Sequence, residues 1–177
     1  MDDLISMDLP VPFPGCYWVI PQILLAGGHP GRGNEQQIRG HLDDLLRAGV
    51  RAFIDLTSPQ EMSDYQAALN QAAREMDVDV SYHRLPIVDF SIPGEKEMRE
   101  ILDDIERHNQ MGRSVYLHCW GGIGRTGTVV GCYLVRNGLT GEQALQHIKS
   151  LRTRSAAGTQ PSPETAQQVD MVKKWQR

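Results

Sequence analysis

The sequence contains little cysteine, and the cysteines it has are scattered. Its three cysteines are Cys16, Cys119 and Cys132, an odd number at wide intervals. That arrangement excludes a disulfide framework and a cysteine-rich zinc cluster. Free thiols persist in a reducing compartment, so we expect a cytoplasmic location, which also suits a reactive cysteine.

Long apolar runs are lacking too. The longest, residues 129–135, is far shorter than the roughly 20 residues that a membrane-spanning helix needs. The first residues include acidic side chains and lack a basic segment followed by an apolar stretch, so no secretory signal is expected. The sequence therefore predicts a protein without a membrane span.

An excess of positive charge is also lacking. The chain has 18 basic and 22 acidic residues, a net charge of −4, and no basic cluster, so a nucleic-acid partner is not expected. Its hydrophobic fraction of 40% is ordinary for a globular protein. We expect the 177 residues to form a single domain, 1–177, in which the proline-containing residues 1–16 are an extended N-terminal arm.

Segments typical of strands alternate with segments of helical periodicity. Strands are predicted at 17–20, 23–26, 51–56, 78–85 and 114–117, with 78–85 in the core. Helices are predicted from the Asn34 cap to Gly49, from 58 to about 76, around 98–105, over 128–135, after Thr140, and from 162. This alternation predicts an α/β fold, a central, mostly parallel twisted sheet of about five strands with helices on both faces.

The most informative stretch is 118–127, His-Cys-Trp-Gly-Gly-Ile-Gly-Arg-Thr-Gly, between a predicted strand and a predicted helix. Its glycines let the backbone turn tightly, and N–H groups at a helix N-terminus bind anions. Arg125 adds a planar fork of donors suited to a tetrahedral oxyanion. A thiol at Cys119 is expected to ionise readily in such positive surroundings. The stretch therefore predicts a thiolate facing a bound phosphate.

The stretch 118–127 also has an interpretation without a function. It could be a glycine-rich turn with a buried cysteine, although that does not explain an arginine in a loop otherwise free of charge.

A second glycine-rich loop, 27–33, could be mistaken for a phosphate-binding loop, but it lacks the Gly-Lys-Ser/Thr ending of a nucleotide-binding loop. The loop at 119–125 leaves the carboxyl end of a predicted strand, where open α/β sheets place their ligands.

The spacing Cys-x5-Arg-Thr, with His118 before it and Gly127 after it, resembles the signature loop of the cysteine-dependent protein phosphatases. Over residues 45–177 the chain is similar to the atypical dual-specificity branch of the protein tyrosine phosphatase superfamily. The resemblance implies the fold of that superfamily and hydrolysis of phosphotyrosine, with phosphoserine and phosphothreonine left open. It implies a phosphorylated protein as partner and no metal or other cofactor, and it leaves the oligomeric state open.

The resemblance also implies catalytic roles. Cys119 matches the nucleophile, Arg125 the phosphate-binding arginine, and Thr126 the hydroxyl that donates to the thiolate. Asp89, on an upstream loop bracketed by prolines, matches the general acid; its alternative is a turn aspartate that makes a local cap. The substrate phosphate would be bound by Arg125 and by the loop residues Trp120, Gly121, Gly122, Ile123 and Gly124.

Two further residues are expected to support the site. His118 is expected to orient the loop or tune the thiolate, or else to be a satisfied buried histidine. Gln168 is a candidate for positioning water, but Glu164 stands where the family pattern has a glutamine, so that assignment stays open.

Other functions compete with the phosphoprotein phosphatase. A catalytically silent phosphate-binding module would be expected to lose the cysteine or the arginine, and both are present. A rhodanese-type sulfur-transfer enzyme does not explain the Arg125-Thr126-Gly127 ending. A phosphoinositide phosphatase would be expected to carry basic residues inside the loop, and residues 120–124 are neutral.

Overall fold

The computed structural model describes residues 9–154 and 157–176 as an alternation of strands and helices. The elements, in chain order, are β1 (Tyr17–Ile20), β2 (Leu24–Gly27), α1 (Glu35–Arg47), β3 (Val50–Asp55), α2 (Gln66–Glu75), β4 (Ser81–Arg84), α3 (Glu95–Gln110), β5 (Ser114–His118), α4 (Gly124–Arg136), α5 (Gly141–Arg154) and α6 (Ala166–Lys174).

The strands form one five-stranded sheet in the order β1-β2-β5-β3-β4. Strand β1 pairs with β2 in antiparallel fashion, and the other three pairings are parallel. The predicted α/β fold with a mostly parallel sheet is thus confirmed. Because β5 is central and buried along its whole length, the signature loop that follows it leaves the middle of the sheet.

Helices cover both faces of the sheet, as predicted. Along β5, Val115 and Leu117 join the core formed with α3 to α6, while Tyr116 between them joins the core formed with α1 and α2. This is the two-residue alternation of a strand buried on both faces. Each fully buried leucine of these cores contributes roughly 1.5–3 kcal/mol of burial free energy.

The helix predicted from 58 to 76 is wrong in its first half. The reciprocal hydrogen bonds of the predicted capping box do form, from Ser58 N to Glu61 Oε2 at 3.2 Å and from Glu61 N to Ser58 Oγ at 3.3 Å. They close a turn, and the helix begins only at Gln66. The reason is tertiary, because the Glu61 carboxylate is held by Arg125 from another part of the chain.

Three other boundaries also differ. The strand predicted as a core strand at 78–85 is only β4, a half-buried edge strand, because β3 pairs it on one side alone. Helix α4 begins at Gly124 rather than 128, inside the signature loop. Helix α6 begins after the Thr165 cap rather than at 162.

Residues 9–16 of the predicted arm contain no helix or strand, but Phe13 and Cys16 are buried. The rest of the arm, 1–8, lies outside the described residues. Across the described ranges, no helix has both the length and the apolar character needed to cross a bilayer.

Candidate active site

The signature loop turns sharply at Gly122, whose φ of 71° lies in the left-handed region. A Cβ at this position would collide with the backbone of Gly27, the last residue of β2. Glycine is therefore required here for conformation and for space. The close approach lets the loop lie against the neighbouring strand end.

The sulfur of Cys119 lies at the base of this loop. The residue is 3% exposed, and the Gly122 backbone N–H donates to Sγ at 3.3 Å. This contact directs one loop N–H at the sulfur. Thr126, which follows Arg125 in the chain, is also buried. Its hydroxyl has no hydrogen-bond partner among the described residues, so the expected bond to the thiolate is not formed.

Arg125 is buried, and acidic side chains approach it from two loops. Its Nη1 donates to Glu61 Oε2 at 2.7 Å and its Nη2 to Glu61 Oε1 at 2.6 Å, a two-point pair. Nη2 also lies 3.0 Å from Asp89 Oδ1. The remaining donor, Nε–H, is buried without a partner among the residues described. One edge of the guanidinium is thus fixed, and an unused N–H is left for an anion.

Glu61 was not among the site residues predicted from the sequence. Hydrogen bonds from Arg125 hold the pKa of its carboxyl below the usual range, although partial burial opposes this. In the sequence, Glu61 comes shortly after a predicted strand, and in α/β folds the loops that follow the strands carry the ligand-binding residues. That position was the one indication of a role at the site.

Asp89 is brought to the site by the loop between β4 and α3. Its side chain is half exposed, and it contacts Arg125. The loop is tied from the other side, because Gln168 Nε2 donates to the Ser91 carbonyl at 3.1 Å. The neighbouring Phe90 has a φ of 58°, a left-handed conformation that directs the chain out of an extended path.

Gln168 is buried and acts as a cap. Its Oε1 accepts from the backbone N–H groups of Glu164 and Thr165, both at 3.1 Å. With Nε2 bound to Ser91, the amide is engaged at both ends, and Glu164 rather than Gln168 lines the cavity beside Cys119.

His118 is fully buried behind the loop. Its Nδ1–H donates to the Cys119 carbonyl at 3.3 Å, and its Nε2 accepts from the Tyr65 hydroxyl at 2.6 Å. Burial lowers the pKa of His118 to about 3 despite the nearby Asp55 carboxylate. A neutral imidazole that is hydrogen-bonded at both nitrogens holds the Cys119 peptide and has no free nitrogen to act as a base. Both expectations, a histidine that orients the loop and a satisfied buried histidine, are compatible with this geometry.

Arg152 is a second buried arginine that the sequence did not indicate. Its Nη1 donates to the Gly122 carbonyl at 2.9 Å and its Nη2 to the Ala157 carbonyl at 3.0 Å. By holding the Gly122 carbonyl, it fixes the peptide between Gly122 and Ile123 in the loop that follows Cys119.

These elements enclose a cavity of about 210 Å³. Its mouth carries two exposed aromatic side chains, since Phe90 is 59% and Trp120 48% exposed. Gly122 was predicted to bind the phosphate, but it does not line the cavity, and its N–H contacts the Cys119 sulfur. The cavity is lined by Asp89, Phe90, Cys119, Trp120, Gly121, Ile123, Gly124, Arg125 and Glu164.

A mostly parallel sheet with a cysteine and an arginine on the loop after its central strand is the arrangement of the cysteine-dependent phosphatases. The model of the PTP-SAK family, the Swiss Army Knife protein with a DSP-PTPase phosphatase domain, matches residues 14–176. The chain therefore belongs to this phosphatase family of the protein tyrosine phosphatase superfamily, and the resemblance inferred from the sequence is confirmed.

Particular relatives are similar over part of their length. Mouse dual specificity protein phosphatase CDC14B is 36% identical over 81% of this chain and 29% of its own length. Phosphatidylglycerophosphate phosphatase PTPMT2 of Arabidopsis thaliana is 27% identical over 76% of this chain and 54% of its own. The chain thus spans between about a third and about half of these relatives.

Solved structures share the fold over nearly the whole chain. Tk-PTP in its active form has a TM-score of 0.71 at 24% identity, covering 92% of this chain and 97% of that one. The kinase-associated phosphatase has a TM-score of 0.69 at 18% identity, covering 94% of both chains. PTPMT1 in complex with PI(5)P has a TM-score of 0.70 at 19% identity, covering 90% and 93%.

Proposed function

We propose that the protein is a phosphoprotein phosphatase that hydrolyses phosphotyrosine through a cysteinyl-phosphate intermediate. The observation that carries the proposal is the meeting of Cys119, Arg125 and Asp89 at one small cavity. A nucleophile, an anion-binding fork and a proton donor are the three groups that transfer of a phosphoryl group to sulfur requires.

Binding of the phosphate would use donors that the protein has left available. The Arg125 Nε–H has no partner within the described ranges, and its Nη2 is shared with the half-exposed Asp89, which would move aside. The phosphate oxygens would take these two N–H groups together with backbone N–H groups of the loop. Glu61 would keep the guanidinium plane fixed from its other edge.

In the first step the Cys119 sulfur attacks phosphorus in line with the leaving oxygen. The S–P bond forms, the P–O bond to the substrate breaks, and Asp89 gives its proton to the departing oxygen. A positioned acid of this kind is worth about 10²–10⁴-fold. The main electrostatic contribution comes from the fixed N–H donors around the oxygens.

In the second step water attacks the phosphocysteine, with Asp89 now accepting a proton. Phosphate leaves, and the thiolate returns to the field of Arg125 and the Gly122 N–H. The Thr126 hydroxyl, buried without a partner among the described residues, would donate to the departing sulfur after a rotation about its side chain. Glu164, which lines the cavity, and Gln168, which caps α6, are the two candidates for orienting the water.

The surroundings of the cavity favour a phosphate carried on protein. Residues 120–124 add no charge to the loop, and Phe90 and Trp120 present aromatic surface at the mouth. An aromatic phosphoamino acid with its flanking residues would bury that surface, whereas a polyphosphorylated inositol ring calls for additional cations.

The test is release of phosphate from matched substrates. Phosphotyrosyl, phosphoseryl and phosphothreonyl versions of one peptide would be compared with PI(5)P and phosphatidylglycerophosphate in vesicles, with Cys119→Ser as the blank. Preferential hydrolysis of phosphotyrosyl peptide supports the proposal. Preference for a vesicle substrate would make it a lipid phosphatase, and no turnover of any substrate would make it a silent phosphate-binding module.

A further inference from the structure

Three side chains that commonly bind metal ions meet between the edge strand β4 and helix α3. Asp104 and His108 are one turn apart on α3 and therefore share a face of the helix, and His83 reaches them from β4. One potential ligand atom from each lies within 4.8 Å of the other two. None of the three lines the phosphate cavity.

One of the two buried members of the cluster, His108, is incompletely hydrogen-bonded. The His108 side chain is 6% exposed, and its Nδ1 has no hydrogen-bond partner in the described part of the chain. Its Nε2 lies 3.7 Å from Asp104 Oδ1, too far for a hydrogen bond. Nε2 therefore faces Asp104 without bonding to it, and it is the nitrogen that an ion between the two side chains would engage.

A second group of the same residue types is hydrogen-bonded differently. His29, Asp55 and His118 also lie close together, but His118 is bonded at both nitrogens. Both carboxylate oxygens of Asp55 accept hydrogen bonds, from Thr57, Tyr82 and Arg84. His29 Nε2 has no partner among the described residues, but both nitrogens of His118 are already engaged outside the trio, which makes this trio the weaker candidate for a metal ion.

A neutral imidazole binds a metal ion through one nitrogen and carries its proton on the other. His83 is partly exposed, so it can carry its proton on Nε2 and present Nδ1 to an ion.

We propose that His83, Asp104 and His108 bind a divalent transition-metal ion of the zinc class. Two imidazoles and one carboxylate are preferred by Zn²⁺ and its neighbours over Mg²⁺ or Ca²⁺. His83 Nδ1 and Asp104 Oδ2 are 2.7 Å apart and would separate slightly to admit the ion. Water would complete the coordination on the partly exposed side.

Arg107 would compete with a metal ion for the Asp104 carboxylate. Its guanidinium pairs with Asp104 Oδ1, and its side chain is 60% exposed. The ion and the guanidinium cannot both take the same oxygen, so metal binding requires Arg107 to turn into solvent. The bound ion would then join α3 to the sheet edge, just after the loop that carries Asp89.

The experiment measures Zn²⁺ binding by calorimetry and Co²⁺ binding by its visible absorption. It uses Cys119→Ser protein, because a thiolate would itself bind these ions. The variants His83→Gln and Asp104→Asn should each weaken binding by more than about 100-fold, since losing even the partner of a ligand costs roughly 10–100-fold. Arg107→Gln should bind more tightly than its parent.

The control is His147→Gln, a histidine of α5 outside the cluster, which should bind as the parent does. Zn²⁺ should also raise the melting temperature of the parent and of this control but not of His83→Gln, whose fold is checked without metal by circular dichroism. Absence of stoichiometric binding by the parent, or equal binding by His83→Gln and His147→Gln, would overturn the proposal.

Discussion

Glu61 and Arg125 are 64 residues apart and form a two-point ion pair, with N–O distances of 2.6 and 2.7 Å. Arg125 enters from the start of α4, and Glu61 from the turn after β3. Because β3 and β5 are parallel neighbours, the chain leaves both strands at the same edge of the sheet. The pair aligns the guanidinium before any phosphate arrives, which is where a fixed donor contributes most.

Glu61→Gln should therefore impair catalysis without removing any reacting group. The amide can accept from only one of the two Nη groups, so the guanidinium would lose its fixed plane. We expect kcat/KM to fall by about 10²-fold, the cost of a small misplacement of a catalytic group. Glu100→Gln, an exposed glutamate on α3, is the matched control. Equal kinetics for the two variants would contradict an orienting role.

Cys119→Ser should abolish turnover and leave the fold and the binding of oxyanions largely intact. The anion is held by Arg125 and loop N–H groups, whereas the sulfur supplies the nucleophile. Phosphate release and titration with tungstate are the two measurements. Residual turnover near the wild-type rate would remove Cys119 from the role of nucleophile.

Arg125→Lys should be severely impaired although the charge is kept. An ammonium group cannot pair with both oxygens of Glu61 and also present two N–H groups to phosphate. We expect the loss in both kcat and KM, since the phosphate is bound in the ground state and in the transition state. Steady-state kinetics on a phosphotyrosyl peptide measure it. Near-normal catalysis by the lysine variant would make Arg125 a structural residue.

Much of the site follows from local sequence, and the remainder depends on strand order. The strand–loop–helix pattern around Cys119 and Arg125 is contained in one short segment, so residue types and spacing were enough to predict it. Glu61 and Arg152 act on that loop from other parts of the fold, and nothing near them in sequence indicates their partners. The sheet order that joins them is a tertiary property.

The same reasoning explains the wrong boundaries. A capping box at Ser58 and Glu61 normally predicts a helix, and the two reciprocal hydrogen bonds are indeed present. The long-range pairing of Glu61 with Arg125 outweighs the local helical preference, which is only a few tenths of a kcal/mol per residue. Strand β4 was predicted as longer and more buried than it is, because the apolar residues of 78–85 do not show that only one neighbouring strand pairs with it.

The buried His118 should make stability dependent on pH. Burial lowers its pKa from 6.5 to about 3, so between these values the unfolded chain binds a proton that the folded chain does not. Its neutral form is fully accommodated above pH 6.5, and the free energy of unfolding should fall as the pH drops toward 3, by about 1.4 kcal/mol per pH unit. Urea unfolding between pH 7 and 4 measures the slope, and a slope unchanged in His118→Gln would contradict this assignment.

Asp89→Asn should separate two functions of one carboxylate. Asp89 Oδ1 lies 3.0 Å from Arg125 Nη2, so it occupies a donor that the phosphate would use. The neutral amide should release that donor, and tungstate should bind more tightly than to the wild-type protein. The same change removes the proton donor, so hydrolysis of a phosphotyrosyl peptide should slow by about 10²–10⁴-fold. An activated aryl phosphate, whose leaving group needs no proton, should be slowed much less. Equal losses on the peptide and the activated ester would assign the acid to another residue.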